Sequence, residues 1–432
     1  MSRTILRGRV LTFLDEPQGL EDTASYRYLE DGAVVIEDGR VVELTDYSPA
    51  LAAGAEVVDH RPHLIMPGFI DTHLHYVQSQ MIASWAGSLL EWLDKYTFVE
   101  EQKFSRQGHA EHVASAFYDE LIRHGTTTAV AYCSVHPQSV DAYFAEAEKR
   151  NMLMIGGKVM MDCHAPPGLC DTAETSYDDT TELIARWHGK GRALYAISPR
   201  FALTSSPAQM EAARALVAEH PDCYMQTHLS ENPAEVTRAM SLYPDTRDYT
   251  GIYEDYGLLG PKSLMGHSIH LSHREAKVMC ETGAVAVFCP TSNLFLGSGL
   301  FDYQRLRQTG VRVSVATDIG GGTSYSMLRT LDEGYKVLQL RGQRLTPFNS
   351  FYLATLGNAR ALSLEGTIGS IVPGASADLV VLDGRATPAM ALRMSTVETL
   401  AEELFLIQTL GDDRCVAEVY VAGGRAKSVL GT

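Results

Sequence analysis

Short runs of alternating apolar and polar positions, rich in β-branched residues and broken by turn residues, open and close the chain. "TILRGRVLTF", "GAVVIEDGRVVEL" and "AEVVDHRPHLIMPG" lie at the start, and "ASADLVVLD" and "RCVAEVYVAGGRA" at the end. Period-two alternation bounded by Gly, Pro and Asp is the signature of half-buried strands. Both ends are therefore expected to build one small β-sandwich domain from residues 1–66 and 372–432.

Between these ends the pattern changes. Strand-like runs alternate with helical stretches such as "HVASAFYDELIRHG" and "AQMEAARALVAEH", the arrangement of βα units around a parallel sheet. Eight such runs can be counted: "HLIMPGFIDTHLH", "GTTTAVAYC", "MLMIGGKVMM", "ALYAISPRFA", "CYMQTHLSE", "SLMGHSIHL", "AVAVFCPTSN" and "VRVSVATDIGG". Eight parallel strands each followed by a helix predict an α/β fold, a (β/α)8 TIM-type barrel over residues 67–371. Polar residues gather at the C-terminal ends of runs one, four, five, six and eight, the end at which barrels place their active sites.

Composition narrows the partners. The 432 residues are 45% hydrophobic and 21% charged, as in an ordinary globular protein, and 36 Lys+Arg against 53 Asp+Glu leave a net charge of -17. Such a field repels phosphate backbones and anionic membranes, so no nucleic-acid or membrane partner is expected, and a neutral small molecule is the easier ligand. The start has no long apolar segment and no run reaches the length of a membrane span, which predicts a cytoplasmic protein. Seven cysteines scattered without a CxxC pair suit reduced thiols packed in the core.

The chemistry lies in "PGFIDTHLHY", which ends its run with His73 and His75. Alternate residues of a strand share a face, so both imidazoles can close on one ion. An HxH pair alone is equally compatible with two hydrogen-bonded histidines. Here it is joined by His228 and Glu231 in "QTHLSE", His267 and His270 in "GHSIH" and Asp318 in "TDIGGG", all on strand ends that converge on a barrel axis. His73, His75, His228 and Asp318 supply three nitrogens and one oxygen, a donor set that Zn²⁺ accepts and that Fe²⁺ or Mn²⁺ also tolerates. A metal so held brings the pKa of water toward roughly 7. Glu231 is placed to act as general acid, Asp318 to take the proton from water, and His267 to polarise the attacked centre. Glu231 also reads as a helix-start carboxylate. His270 does not share a strand face with His267, and His109, His112, His124 and His136 read as surface or core histidines. "HAE" at His109 matches the HxE of one class of small-domain zinc deaminases but lacks its downstream PCxxC, and neither "MIGGKV" nor "DIGGGTS" matches a phosphate loop.

These motifs, in this order and between two β-rich termini, resemble the metal-dependent amidohydrolase superfamily. "LLEWLDKYTF", "SPRFALTSS" and "CPTSNLFLGSGLF" are similar within it to the guanine deaminases, over about Gly32 to Gly424. The resemblance implies hydrolysis of guanine to xanthine and ammonia by a homodimer with one zinc per subunit. Position by position it implies His73, His75, His228 and Asp318 as metal ligands, and Glu231, His267 and Asp318 as the proton-handling groups. It implies that Gln78, Arg200 and Phe201 hold the purine, with His75, His228, Glu231 and Asp318 also facing it. Arg200 would donate to the ring carbonyl; its bland reading is an ion pair at a strand end. Phe201 points away from Arg200 in a regular strand, which leaves side-chain or backbone contact open. A sibling acting on a triazine or adenine-type ring, a non-catalytic scaffold and a purine-binding module are the alternatives.

Overall fold

A computed structural model of the chain describes residues 3–430. The chain opens with β1 (Arg3–Phe13), β2 (Tyr26–Glu37), β3 (Arg40–Asp46) and β4 (Glu56–Pro67). The central strands are β5 (Phe69–His75), β6 (Thr126–Tyr132), β7 (Leu153–Gly157), β8 (Val159–Met160), β9 (Ala193–Pro199), β10 (Tyr224–Leu229), β11 (Ser263–His267), β12 (Val285–Phe288) and β13 (Arg312–Val315). β14 (Leu379–Leu382), β15 (Val416–Val421) and β16 (Gly424–Arg425) close it.

Two sheets result. Strands from both termini form one continuous seven-stranded mixed sheet in the order β16-β15-β14-β4-β1-β2-β3. β14 pairs with Leu64–Pro67 of β4, so the two ends of the chain meet beside the entry to the barrel. The other sheet runs β13-β12-β11-β10-β9-β7-β6-β5, parallel throughout, with helices between the strands. Its last seam is bridged by side chains: Thr72 Oγ1 donates to Ser314 Oγ at 2.9 Å, and Asn358 Nδ2 donates to Ile70 O at 2.7 Å and Val315 O at 2.8 Å. Buried backbone carbonyls need such partners, and Asn358 supplies in side-chain form what a ladder would have given.

The run "HLIMPGFIDTHLH" reads as a single barrel strand but is divided at Gly68. Residues before it pair in the terminal sheet, and those after it form β5. A Cβ at Gly68 would lie 2.3 Å from Thr127 Oγ1, so only glycine lets the chain pass this close between the sheets. A second feature is absent from the strand pattern. Between β14 and β15 the helix Leu400–Leu410 lies against the helices Met327–Leu340 and Pro347–Tyr352 of the central region, and the helix Pro388–Met394 packs on it. Leu404 and Ile407 are buried there with Leu328 and Phe348. Among the described residues no helix is long and apolar enough to cross a membrane, and all seven cysteines are unpaired.

Candidate active site

β5 delivers His73 and His75 to the same side, as strand alternation requires. Asp318 lies three residues beyond β13 in the left-handed region (φ 53°), and His267, the last residue of β11, also has positive φ (68°). Non-glycine residues adopt this conformation where the surroundings over-determine it. Here the determinants are visible. Asp318 N donates to His73 O at 2.9 Å, and His75 N donates to Ile319 O, which locks the end of the first barrel strand to the loop after the last. Behind them the buried Asp71 carboxylate accepts from Thr317 N at 3.1 Å, from the Thr317 hydroxyl and from His73 N at 3.3 Å. Burial raises Asp71 to about 7, against the pull of the Thr317 and His73 donors.

Four predicted ligand atoms converge. His75 Nε2 is 3.1 Å from His228 Nε2, and Asp318 Oδ1 is 3.4 Å from His73 Nε2 and 3.6 Å from His75 Nε2. A tetrahedral set at ~2.1 Å from a common centre has edges of about 3.4 Å. The charge states suit this reading. Burial first, and then the crowded histidines and the Arg200 guanidinium beside them, drives His75 and His228 well below the usual imidazole range, so both rings are neutral. His228 Nδ1 is 2.8 Å from Arg200 O, which fixes the proton on that nitrogen and leaves the Nε2 lone pair facing the site. Neither His73 ring nitrogen has a hydrogen-bond partner although the residue is completely buried. Facing lone pairs and orphaned nitrogens are costly in a protein interior unless a cation joins them. Burial alone would raise Asp318, but the His73 ring, 3.4 Å away, and the His267 ring beside it outweigh burial and hold the carboxylate below its ordinary value.

Glu231, His267 and Asp318 form a second line beside these atoms. His267 Nε2 is 3.5 Å from Glu231 Oε2 and 3.7 Å from Asp318 Oδ2. Burial lowers His267 to about 3, so the ring is neutral. Asn293 Nδ2 donates to its Nδ1 at 2.9 Å, leaving the ring proton on Nε2, aimed between the two carboxyl groups. Glu231 is raised well above the carboxylate range, first by burial and then by the charges of Glu235 and Asp318. Ser298 Oγ donates to Glu231 Oε1 at 2.8 Å, and His270 Nε2 meets Ser298 O at 2.8 Å, so His270 braces the loop that holds Glu231.

One cavity receives these groups; His75, Gln78, Arg200, Phe201, His228, Glu231, His267 and Asp318 all line it. Of the predicted metal and substrate residues, His73 alone lies wholly behind its wall. Leu89, Trp92, Leu93 and Leu296 supply apolar cover. Phe201 follows β9 rather than continuing it, and its ring lies 6.1 Å from that of His228, so the side chain itself faces the cavity. Arg200 combines both of its readings: it lines the cavity and pairs with the fully buried Glu101 at 2.7 Å. Sequence reasoning passed over Glu101. Its available signal was helical spacing, since it falls eight and four residues after the buried Leu93 and Thr97, a carboxylate on an apolar face. His124 meets the backbone of its own helix, His109 packs on Phe104 and His136 precedes the helix Pro137–Arg150; none of them lines the cavity.

The sequence pattern described as the amidohydrolase family matches residues 64–426. A protein from Escherichia coli K12 named guanine deaminase is 47% identical over 413 residues, 95% of this chain and 94% of that one. The solved structure of E. coli guanine deaminase superposes with a TM-score of 0.96 at 45% identity, covering 98% and 99% of the two chains. A guanine deaminase from C. acetobutylicum, solved with guanine in its active site, superposes with a TM-score of 0.88 at 27% identity, covering 98% of this chain and 100% of that one.

Proposed function

This chain belongs to the amidohydrolase family, and from that premise we propose that it is an enzyme that adds water to guanine and releases xanthine and ammonia. The observation that carries the proposal is the cavity in which an N₃O donor set, the buried Glu231 carboxyl group and an amide–guanidinium pair face the same space. His73, His75, His228 and Asp318 would hold one divalent ion, for which zinc suits the donors best and Fe²⁺ is tolerated. When bound, such an ion supplies Lewis acidity and makes water acidic enough to attack at neutral pH.

The protein's residues do the rest. Glu231, neutral in its buried setting, gives its proton to the ring nitrogen beside C2 as the C–O bond forms. The Nε2–H of His267 stands where charge develops on the attacked centre. Asp318, held ionised, accepts one proton of the attacking water and returns it to the exocyclic amine; the C2–N bond then breaks, ammonia leaves, and the remaining C2 hydroxyl proton passes to Glu231, which forms the C2 carbonyl and restores the acid. Arg200 donates toward the C6 carbonyl, Gln78 presents its amide to the ring edge, and Phe201, Trp92 and Leu93 exclude water around the purine. A homodimer acting in the cytoplasm completes the proposal, supported by the family likeness; sedimentation of the purified protein checks the assembly. The deciding experiment is incubation with guanine while xanthine and ammonia are measured, before and after chelator treatment and zinc return. Persistence of guanine with the zinc-loaded protein would refute the assignment.

A further inference from the structure

Glu101 does not line the cavity, yet it touches both groups that would read the purine edge. Its Oε1 accepts from Gln78 Nε2 at 2.8 Å, and its Oε2 accepts from an Arg200 terminal nitrogen at 2.7 Å. All three side chains are buried: Glu101 is 0% exposed, Gln78 2% and Arg200 3%. The Ser134 hydroxyl donates to the Glu101 carbonyl at 3.1 Å, tying the short helix Phe98–Glu101 to the end of the second barrel strand.

The donor–acceptor count turns this contact into a selectivity argument. A carboxylate only accepts, so the Gln78 NH₂ must face Glu101; a backbone N–H only donates, so the Gln78 oxygen must face Gly320 N, 3.2 Å away. Together these partners forbid the flipped amide. What Gln78 can still offer a ligand is one oxygen lone pair and one N–H, while Arg200 keeps four of its five donors. A ring edge with a carbonyl beside an N–H satisfies that combination. An edge with an amino group beside a bare nitrogen meets Arg200 donor against donor.

We propose that Glu101 is a positioning residue that sets the polarity of recognition: from behind the cavity wall it orients Gln78 and Arg200 to select a C=O/N–H ring edge over a C–NH₂/N edge. The inference rests on the guanine reading, which it deepens. The two rings to compare are guanine and 2,6-diaminopurine, which share the 2-amino leaving group and differ only along this edge. Steady-state ammonia release is measured for zinc-loaded wild type, Glu101→Gln and Glu101→Asp, with melting temperature and zinc content as controls. Glu101→Gln removes the charge and puts an NH₂ against one of two donors, freeing the Gln78 amide to turn. Its guanine KM is expected to rise by about tenfold or more with a smaller change in kcat, and the guanine-to-diaminopurine ratio of kcat/KM to shrink by about tenfold, because unpaired polar groups are what a hydrogen-bonding site uses to discriminate. Glu101→Asp, which keeps the charge on a shorter arm, should recover part of the ratio. A purely structural role would lower folded protein and turnover alike for both rings and leave KM and the ratio in place. Values within twofold of wild type in Glu101→Gln would overturn the proposal; if that variant does not fold, an unchanged ratio in Glu101→Asp would do so. Failure of the wild type to consume guanine would instead refute the functional reading, before any variant is compared.

Discussion

Replacing Gly266 with alanine is expected to leave a folded protein that has lost its metal site. Gly266 pairs with His228 on one side and Val287 on the other, so its backbone is held between two strands of the barrel. An added Cβ would lie 2.5 Å from His73 Cε1, 3.0 Å from His73 Nδ1 and 3.2 Å from Thr227 O. Carbon atoms pack at ~3.5 Å or more, so the His73 ring must withdraw by about 1 Å. It has no free space: the ring of Tyr132 is 5.1 Å away, that of His228 4.9 Å and that of His267 5.4 Å, centre to centre. Overpacking of this kind costs about 1–3 kcal/mol, within the ~5–15 kcal/mol that holds a typical domain together. Metal sites tolerate only ~0.2 Å in ligand distance, and a misplacement near 1 Å costs about a hundredfold in rate. The assay is zinc per subunit by elemental analysis beside the thermal melt and guanine turnover. A Gly266→Ala variant that melts like wild type, carries as much zinc and turns over within threefold would refute the claim that this missing side chain makes room for the ligand.

Glu231→Gln should keep its zinc while kcat falls by about 10²–10⁴-fold, the usual contribution of a positioned proton donor; unchanged kcat would remove Glu231 from the mechanism. Ser298→Ala removes a hydroxyl that favours ionised Glu231, so the carboxyl holds its proton to still higher pH. Since a general acid is active when protonated and loses activity as pH rises through its pKa, the alkaline limb of the pH–kcat profile should move upward, and a limb that stays put or moves down contradicts the assignment. Arg200→Ala leaves Glu101 buried without its counter-charge, which costs about 3–5 kcal/mol. It should therefore lower the melting temperature more than Gln78→Ala does, besides raising KM for guanine; equal melting and equal kinetics would show that Arg200 does neither job.

Much of this site is legible along the chain because barrel geometry is local in one respect: each strand ends where its own alternation ends, and all eight ends lie on one rim. His73 and His75 two residues apart, His228 at the close of "QTHL" and Asp318 after "SVAT" thus announce themselves without any knowledge of contacts. The two-sheet division could also be read, since strand patterns at both termini have nowhere else to pair. Other features depend on approach through space. Gly68 divides a run that looks continuous because Thr127, 59 positions away in the chain, leaves no room for a side chain.

The sequence by itself determined which chemical groups stand at the strand ends, because hydrophobic period and residue type are written position by position. Only the tertiary structure decided their protonation states and their orientation. Burial pushes Glu231 toward its protonated form and His75, His228 and His267 toward neutrality; Asn293 and Ser298, from the segment after β12, and Glu101, from the segment after β5, orient the polar atoms at the cavity. Desolvation and hydrogen-bond direction are properties of an environment assembled from distant segments, and no single stretch of chain contains them.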